Sequence, residues 1–139
     1  SSGSLIGRGG LWEGPHGTSY GSVYRPVEHG AGGGNSCCTA GDGGGVLRVR
    51  AGSVMLNGTL RANGTRVDSR GGAGGSIWIT AGHITGTGTI QTNGGDGHWT
   101  SGGGGAIAIE YVIDEIARGR KHRRAWGSGR CSRSRSIRC

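Results

Sequence analysis

Gly44-Gly45-Val46-Leu47-Arg48-Val49-Arg50-Ala51-Gly52 is answered thirty residues later by Gly74-Gly75-Ser76-Ile77-Trp78-Ile79-Thr80-Ala81-Gly82. The register then holds without a gap: Val54 falls on Ile84, Gly58 on Gly88, Thr59 on Thr89, Leu60 on Ile90, and Asn63-Gly64 on Asn93-Gly94. A third copy begins on schedule at Gly104-Gly105-Ala106-Ile107-Ala108-Ile109-Glu110-Tyr111. A fixed period of this length marks a repeat architecture and outweighs any local propensity.

Each unit has a readable pattern. Leu47 and Val49, Ile77 and Ile79, and Ile107 and Ile109 are apolar at alternate positions, with Arg48, Trp78 and Ala108 between them. Alternation of this kind describes a strand with one face inward, so Arg48, Trp78 and Ala108 are expected to face out. The matched spacing predicts two adjacent inward columns, Leu47-Ile77-Ile107 and Val49-Ile79-Ile109. Shorter apolar segments follow at Ser53 to Leu56 and His83 to Thr85, then at Thr59 to Ala62 and Thr89 to Thr92. Glycines at 52, 58, 64, 82, 88 and 94 separate the segments and read as turn positions, because glycine tolerates positive φ. Three short strands per unit with glycine corners predict an all-β fold, a short right-handed parallel β-helix with coils of about 30 residues.

Glycine accounts for 35 of 139 residues and there is no Phe, a composition that without a repeat would indicate disorder. The register argues for order. Stacked units bury a continuous column once about three are present, and two full units with a partial third read as a piece of a longer protein. The formal charge of +8 is uneven: residues 118–139 carry nine of the sixteen Lys and Arg and no acid. Residues 1–117 hold seven basic and eight acidic side chains, a net of −1. The sequence therefore divides into a glycine-rich lead-in at 1–43, repeats at 44–117 and a basic tail at 118–139.

In the lead-in, Gly7-Arg8-Gly9-Gly10, Ser19-Tyr20-Gly21-Ser22-Val23-Tyr24-Arg25-Pro26 and Gly30-Ala31-Gly32-Gly33-Gly34 follow one another. Together with Gly43-Gly44-Gly45-Val46-Leu47, Gly74 to Thr80 and Gly102 to Ile109, this succession resembles the glycine-rich repeat segments of large, mostly uncharacterised secreted or cell-surface proteins. Those segments are similar to parallel β-helices of the pectin-lyase-like kind. The resemblance covers about Gly7 to Tyr111, implies an extracellular or cell-surface location, and brings no activity with it. On physical grounds Tyr20 and Tyr24 are placed to cover the open end of the first coil, and Pro26 to sit at an edge or corner.

The tail begins at Arg118-Gly119-Arg120-Lys121-His122-Arg123-Arg124, after Val112 to Ala117, which fits either a helical turn or a last strand. Arg118, Arg120, Lys121, Arg123 and Arg124 are the candidates for polyanion contact. The plainer reading is a disordered terminus, dispensable for the fold, whose like charges repel and whose few apolar groups cannot offset ordering entropy. Asn57-Gly58-Thr59 and Asn63-Gly64-Thr65 are N-glycosylation sequons in a chain secreted from a eukaryotic cell; Asn-Gly is equally a turn dipeptide. Cys37, Cys38, Cys131 and Cys139 lack zinc spacing, and their pairing is open. No stretch of about 18 apolar residues suggests a membrane span.

Enzymatic chemistry on such a scaffold calls for clustered carboxylates or a carboxylate-bound metal with a base nearby. Asp42, Asp68, Asp96 and Glu110 form no pair at alternate positions and none in register. Asp96 beside Gly97-His98-Trp99 has one unit of a calcium-binding nonapeptide, which works only in tandem; His83 and His98 have no matching ligand a unit away. Threonines crowd the second unit, yet only Thr59 and Thr89 share a register position, so no regular ice-binding rank is present. The sequence thus points to a non-enzymatic structural or adhesive extracellular module, with no cofactor and no specific nucleic-acid partner. Its expected partners are flanking repeats, carbohydrate or matrix proteins. The alternatives are a carbohydrate-active β-helix with its catalytic coils elsewhere, and a binder of polyanions through the tail.

Overall fold

The structure, a computed structural model, describes residues 3–10, 18–34 and 39–111. Cys37, Cys38, Cys131 and Cys139, whose pairing the sequence leaves open, lie outside the described residues, as do the segment 112–117 and the tail 118–139. Among the described residues five strands form: β1 (Val46–Met55), β2 (Thr59–Arg61), β3 (Ser76–Thr85), β4 (Thr89–Gln91) and β5 (Ala106–Tyr111). They build a three-stranded parallel sheet in the order β1-β3-β5 and a two-stranded parallel sheet of β2 and β4. The thirty-residue register is realised as strand pairing: Leu47 lies beside Ile77 and Ile77 beside Ile107, Val49 beside Ile79 and Ile79 beside Ile109. Thr59 pairs with Thr89 and Leu60 with Ile90 in the smaller sheet.

The expected parallel β-helix is not what forms. Neither sheet closes, no solenoid is found among the described residues, and the architecture is all-β with two small open sheets. Two physical features replace the expected corners. The first is continuity through glycine. Gly52 and Gly82 lie inside β1 and β3, and only their mutual pairing is skipped. The apolar set changes parity there, from Ile77, Ile79 and Ala81 to Ile84, so the strand bends without ending.

The second feature is a lattice of glycine-rich rows that are neither strand nor helix. In the row 71–75 the N–H of Gly71 donates to Thr100 O and that of Gly74 to Gly103 O, each at 2.9 Å. Gly72 and Gly75 donate to Thr65 O and Ala62 O, and Ala73 donates to Ala31 O. Every third residue thus meets the same neighbour, the period of a polyproline-II-type helix, which has three residues per turn and no internal hydrogen bonds. The same spacing recurs throughout: Gly41 and Gly44 donate to Arg70 O and Ala73 O, Gly102 and Gly105 to Gly95 O and Thr92 O, Gly33 and Gly30 to Gly41 O and Gly44 O, and Gly10 and Gly7 to Ser101 O and Gly104 O. The rows 41–45, 71–75 and 101–105 run parallel. A lead-in layer and the segments 62–65 and 92–95 flank them.

Glycine is required here for close approach. A Cβ on Gly72 would collide with the carbonyl of Asp42, and one on Gly75 with the backbone of Gly44 and Gly45. Positive φ, expected at six repeat glycines, occurs among the described glycines only at Gly21 (92°) and Gly86 (113°).

The row and the start of the strand that follows it form the longest buried run among the described residues, with residues 71–79 all buried. Ile77, Ile79, Ala81 and Ala62 make the core cluster, and Leu47, Val49, Val54, Leu60, Ile84 and Ile90 pack against it. The opposite face of β3, expected to be solvated, is covered. Trp78 on β3 and its neighbour Ala108 on β5 are each 8% exposed, and the lead-in reaches this face at Ser76, whose Oγ donates to Glu28 O at 2.6 Å. Arg48 stays exposed and lays its guanidinium over the Trp78 ring, 4.3 Å from the centroid. Pro26, expected at an edge, is fully buried, as is Leu5.

Two substitutions test the packing. Ile79→Asp is expected to unfold the chain, because an unpartnered carboxylate in the cluster costs several kcal/mol, whereas Thr80→Asp, half-buried between Arg50, which attracts it, and Glu110, which repels it, costs far less. Equal losses in circular-dichroism melts would contradict the alternation. Gly72→Ala tests the lattice: it should lower stability by about 1–3 kcal/mol, the range of overpacked cores, although it adds one methyl group. A melt like that of the parent chain would show that the rows can part.

Candidate functional site

Three surfaces carry functional groups. The first lies in the lead-in, where Ile6 and the segment Ser19 to Tyr24 line an open groove of about 420 Å³. Its shape follows from local chemistry. Tyr20 is tied at both ends, its N–H donating to Leu5 O at 2.8 Å and its hydroxyl to His29 O at 2.7 Å. Gly21 then takes positive φ, a conformation that a Cβ disfavours. Ser22 Oγ accepts the N–H groups of Tyr24 and Arg25, each at 3.2 Å, a serine turn that fixes the next residues. Tyr20, Val23 and Tyr24 are left 42%, 49% and 67% exposed. The two tyrosines therefore do not cover the open end of a first coil, the role expected of them. They stand in solvent as the walls of a groove.

The second surface holds the sequons. Asn57 is exposed just before β2, and Thr59 is exposed at the start of that strand. Asn63 is also exposed, but its Oδ1 accepts the N–H of Asn93 at 2.9 Å. It thus bridges one unit to the next. The two sequons differ in this respect, which the sequence alone does not reveal.

The third set of candidate groups is basic and is spread over two sheets. Arg50 and Arg61 are exposed on β1 and β2, with Arg66 exposed on the connection beyond. The tail residues Arg118, Arg120, Lys121, Arg123 and Arg124 lie outside the described residues. Asp42, Asp68 and Asp96 are exposed in separate loops. Among the described residues no three His, Cys, Asp or Glu side chains gather as a metal site would require. Among the described residues no helix is long and apolar enough to cross a membrane.

The Thr59–Thr89 pair is the one threonine match in the strand registers, with Thr80 between Arg50 and Glu110. Sequence reasoning missed the groove because its walls come from two separated stretches, and Ile6 offers no signal of its own. The pair Tyr20 and Tyr24 around a glycine was the one visible sign.

No protein-family model, curated protein or solved structure matches the chain. The resemblance to pectin-lyase-like repeat segments rests on the sequence motifs alone.

The asymmetry of the sequons is measurable. Asn63→Ala, which removes the acceptor of the Asn93 N–H, is expected to lower the melting temperature more than Asn57→Ala does. Circular-dichroism melts of the two variants read this directly, and equal losses would contradict it.

Proposed function

We propose that this chain is a non-enzymatic structural and adhesive module working outside the cell, which holds carbohydrate against the tyrosine groove of its lead-in. The observation that carries the reading is the groove itself: exposed aromatic rings held on a framework fixed by backbone hydrogen bonds. A sugar ring offers an apolar C–H face and a rim of hydroxyls. A tyrosine offers the matching combination of apolar ring and polar tip. Ser19 and Ser22, which also line the groove, add hydroxyls at its wall.

Rigidity supports adhesion because a pre-ordered site loses little entropy on binding. Tyr20 is held by two hydrogen bonds to distant backbone, and the serine turn holds the backbone of Tyr24. The open shape suits a polymer passing through more than an enclosed small molecule. Two exposed sequons favour the extracellular setting.

Depletion assays on insoluble polysaccharides and affinity electrophoresis in soluble ones test the reading. The chain is expected to be retained by at least one polysaccharide. Tyr24→Ala should weaken retention about tenfold, the loss of one aromatic contact of about 1.4 kcal/mol, with the melting temperature unchanged. Failure to retain any polysaccharide, or equal retention by the variant, would remove the adhesive part of the proposal.

A further inference from the structure

The two ends of the repeat stack are complementary, and one detail of the glycines shows it. A Cβ on Gly75, Gly82 or Gly88 would strike the carbonyl of Gly45, Gly52 or Gly58, one unit earlier. Gly45, Gly52 and Gly58 themselves have nothing within 4 Å of such a Cβ. These three glycines bear the entropic cost of lacking a side chain, yet nothing described crowds them. What crowds their counterparts is the backbone of a preceding unit.

The opposite end supplies such a backbone. A Cβ on Gly105 meets the carbonyl of Gly75 just as one on Gly75 meets that of Gly45, so each unit presents the same face to the next. Among the described residues β5 pairs only with β3, and β1 only with β3. Ile107 and Ile109, which continue the two core columns, are left 41% and 46% exposed. In the glycine rows, the donors of one row meet the carbonyls at positions 70 and 73, or 100 and 103, of the next. Among the described residues the N–H groups of Ser101 and Gly104 have no acceptor, and the carbonyls of Ala40 and Gly43, at the matching positions, have no donor. The ends also differ in charge: Arg50 and Glu110 occupy one register column, joined through Thr80.

We propose that copies of this chain associate head to tail, the β5 edge of one pairing in parallel with the β1 edge of the next in the same thirty-residue register. Leu47 of one copy then lies beside Ile107 of its neighbour, Val49 beside Ile109, and Arg50 beside Glu110. Ser101 and Gly104 donate to Ala40 and Gly43 across the junction. The contact is heterologous, joining two different surfaces, so it extends as an open linear array. Exposed strand edges supply the backbone groups for such growth.

Sedimentation of the full chain from micromolar to near-millimolar concentration tests this. Species larger than a dimer should grow with concentration. Gly45→Ala, where the single chain has room for the methyl group, should keep the melting temperature and lose the larger species. Should that variant fail to fold, the charge pair decides. Arg50→Glu and Glu110→Arg should each weaken association about tenfold, as like charges meet, and the double reversal should restore it. A parent chain that stays monomeric overturns the proposal. So does a closed dimer, association untouched by Gly45→Ala (as the basic tail would cause), or a double reversal that fails to restore it.

Discussion

A peptide N–H withdrawn from water must find an acceptor, and in the row 71–75 each one finds it on a neighbouring segment. That requirement, met at every position without help from a strand ladder, governs the rest of the structure. It demands neighbours on three sides, so the lead-in, the rows of the adjacent units and the returning segments 62–65 and 92–95 are all drawn in. It also demands that nothing project between them. A chain with side chains at Gly72 or Gly75 could not bring the carbonyls of Asp42 or Gly45 close enough. Each such bond contributes only about 1 kcal/mol net, but leaving one buried and unmade costs more, so the rows assemble together.

The strands inherit their position from this lattice. β3 follows directly from the central row and is buried on both faces at its start, with Ser76 held by Glu28 on one side and Ile77 in the cluster on the other. β1 and β5 follow the outer rows and remain half open. The gradient of burial across the sheet comes from the number of rows on each side of a strand, since Leu47, Ile77 and Ile107 are all large aliphatic residues in one column. The lead-in, which looks irregular in sequence, reaches the face where Trp78 lies. Its groove is the part that the lattice leaves exposed.

Much of the pairing was legible in the sequence, because a thirty-residue register with matched apolar positions admits few other arrangements. Leu47, Ile77 and Ile107 fall in one column as their spacing demands. The closure into coils was misjudged because glycine carries two meanings. It can supply positive φ at a corner or permit contact between backbones, and nothing in the string Gly102-Gly103-Gly104-Gly105 distinguishes them. Trp78 was assigned to solvent by alternation with Ile77 and Ile79; alternation identifies two faces but cannot say that the second is covered. Tyr20 and Tyr24 attracted attention by their spacing, yet their exposure depends on Leu5 and His29, which hold Tyr20 from outside its own stretch.

The scarcity of side chains inside the lattice also shapes how the fold responds to temperature. Exposing apolar surface raises the heat capacity of unfolding, while exposing peptide groups lowers it. Here the central rows bury amides against amides, and the aliphatic cluster of Ile77, Ile79, Ala81 and Ala62 is small. The heat-capacity increment per residue should therefore fall below the usual value of about 12–15 cal/mol/K. A small increment flattens the curve of free energy against temperature. The glycine rows thus give the fold a wide thermal plateau, on which cooling does little to weaken it.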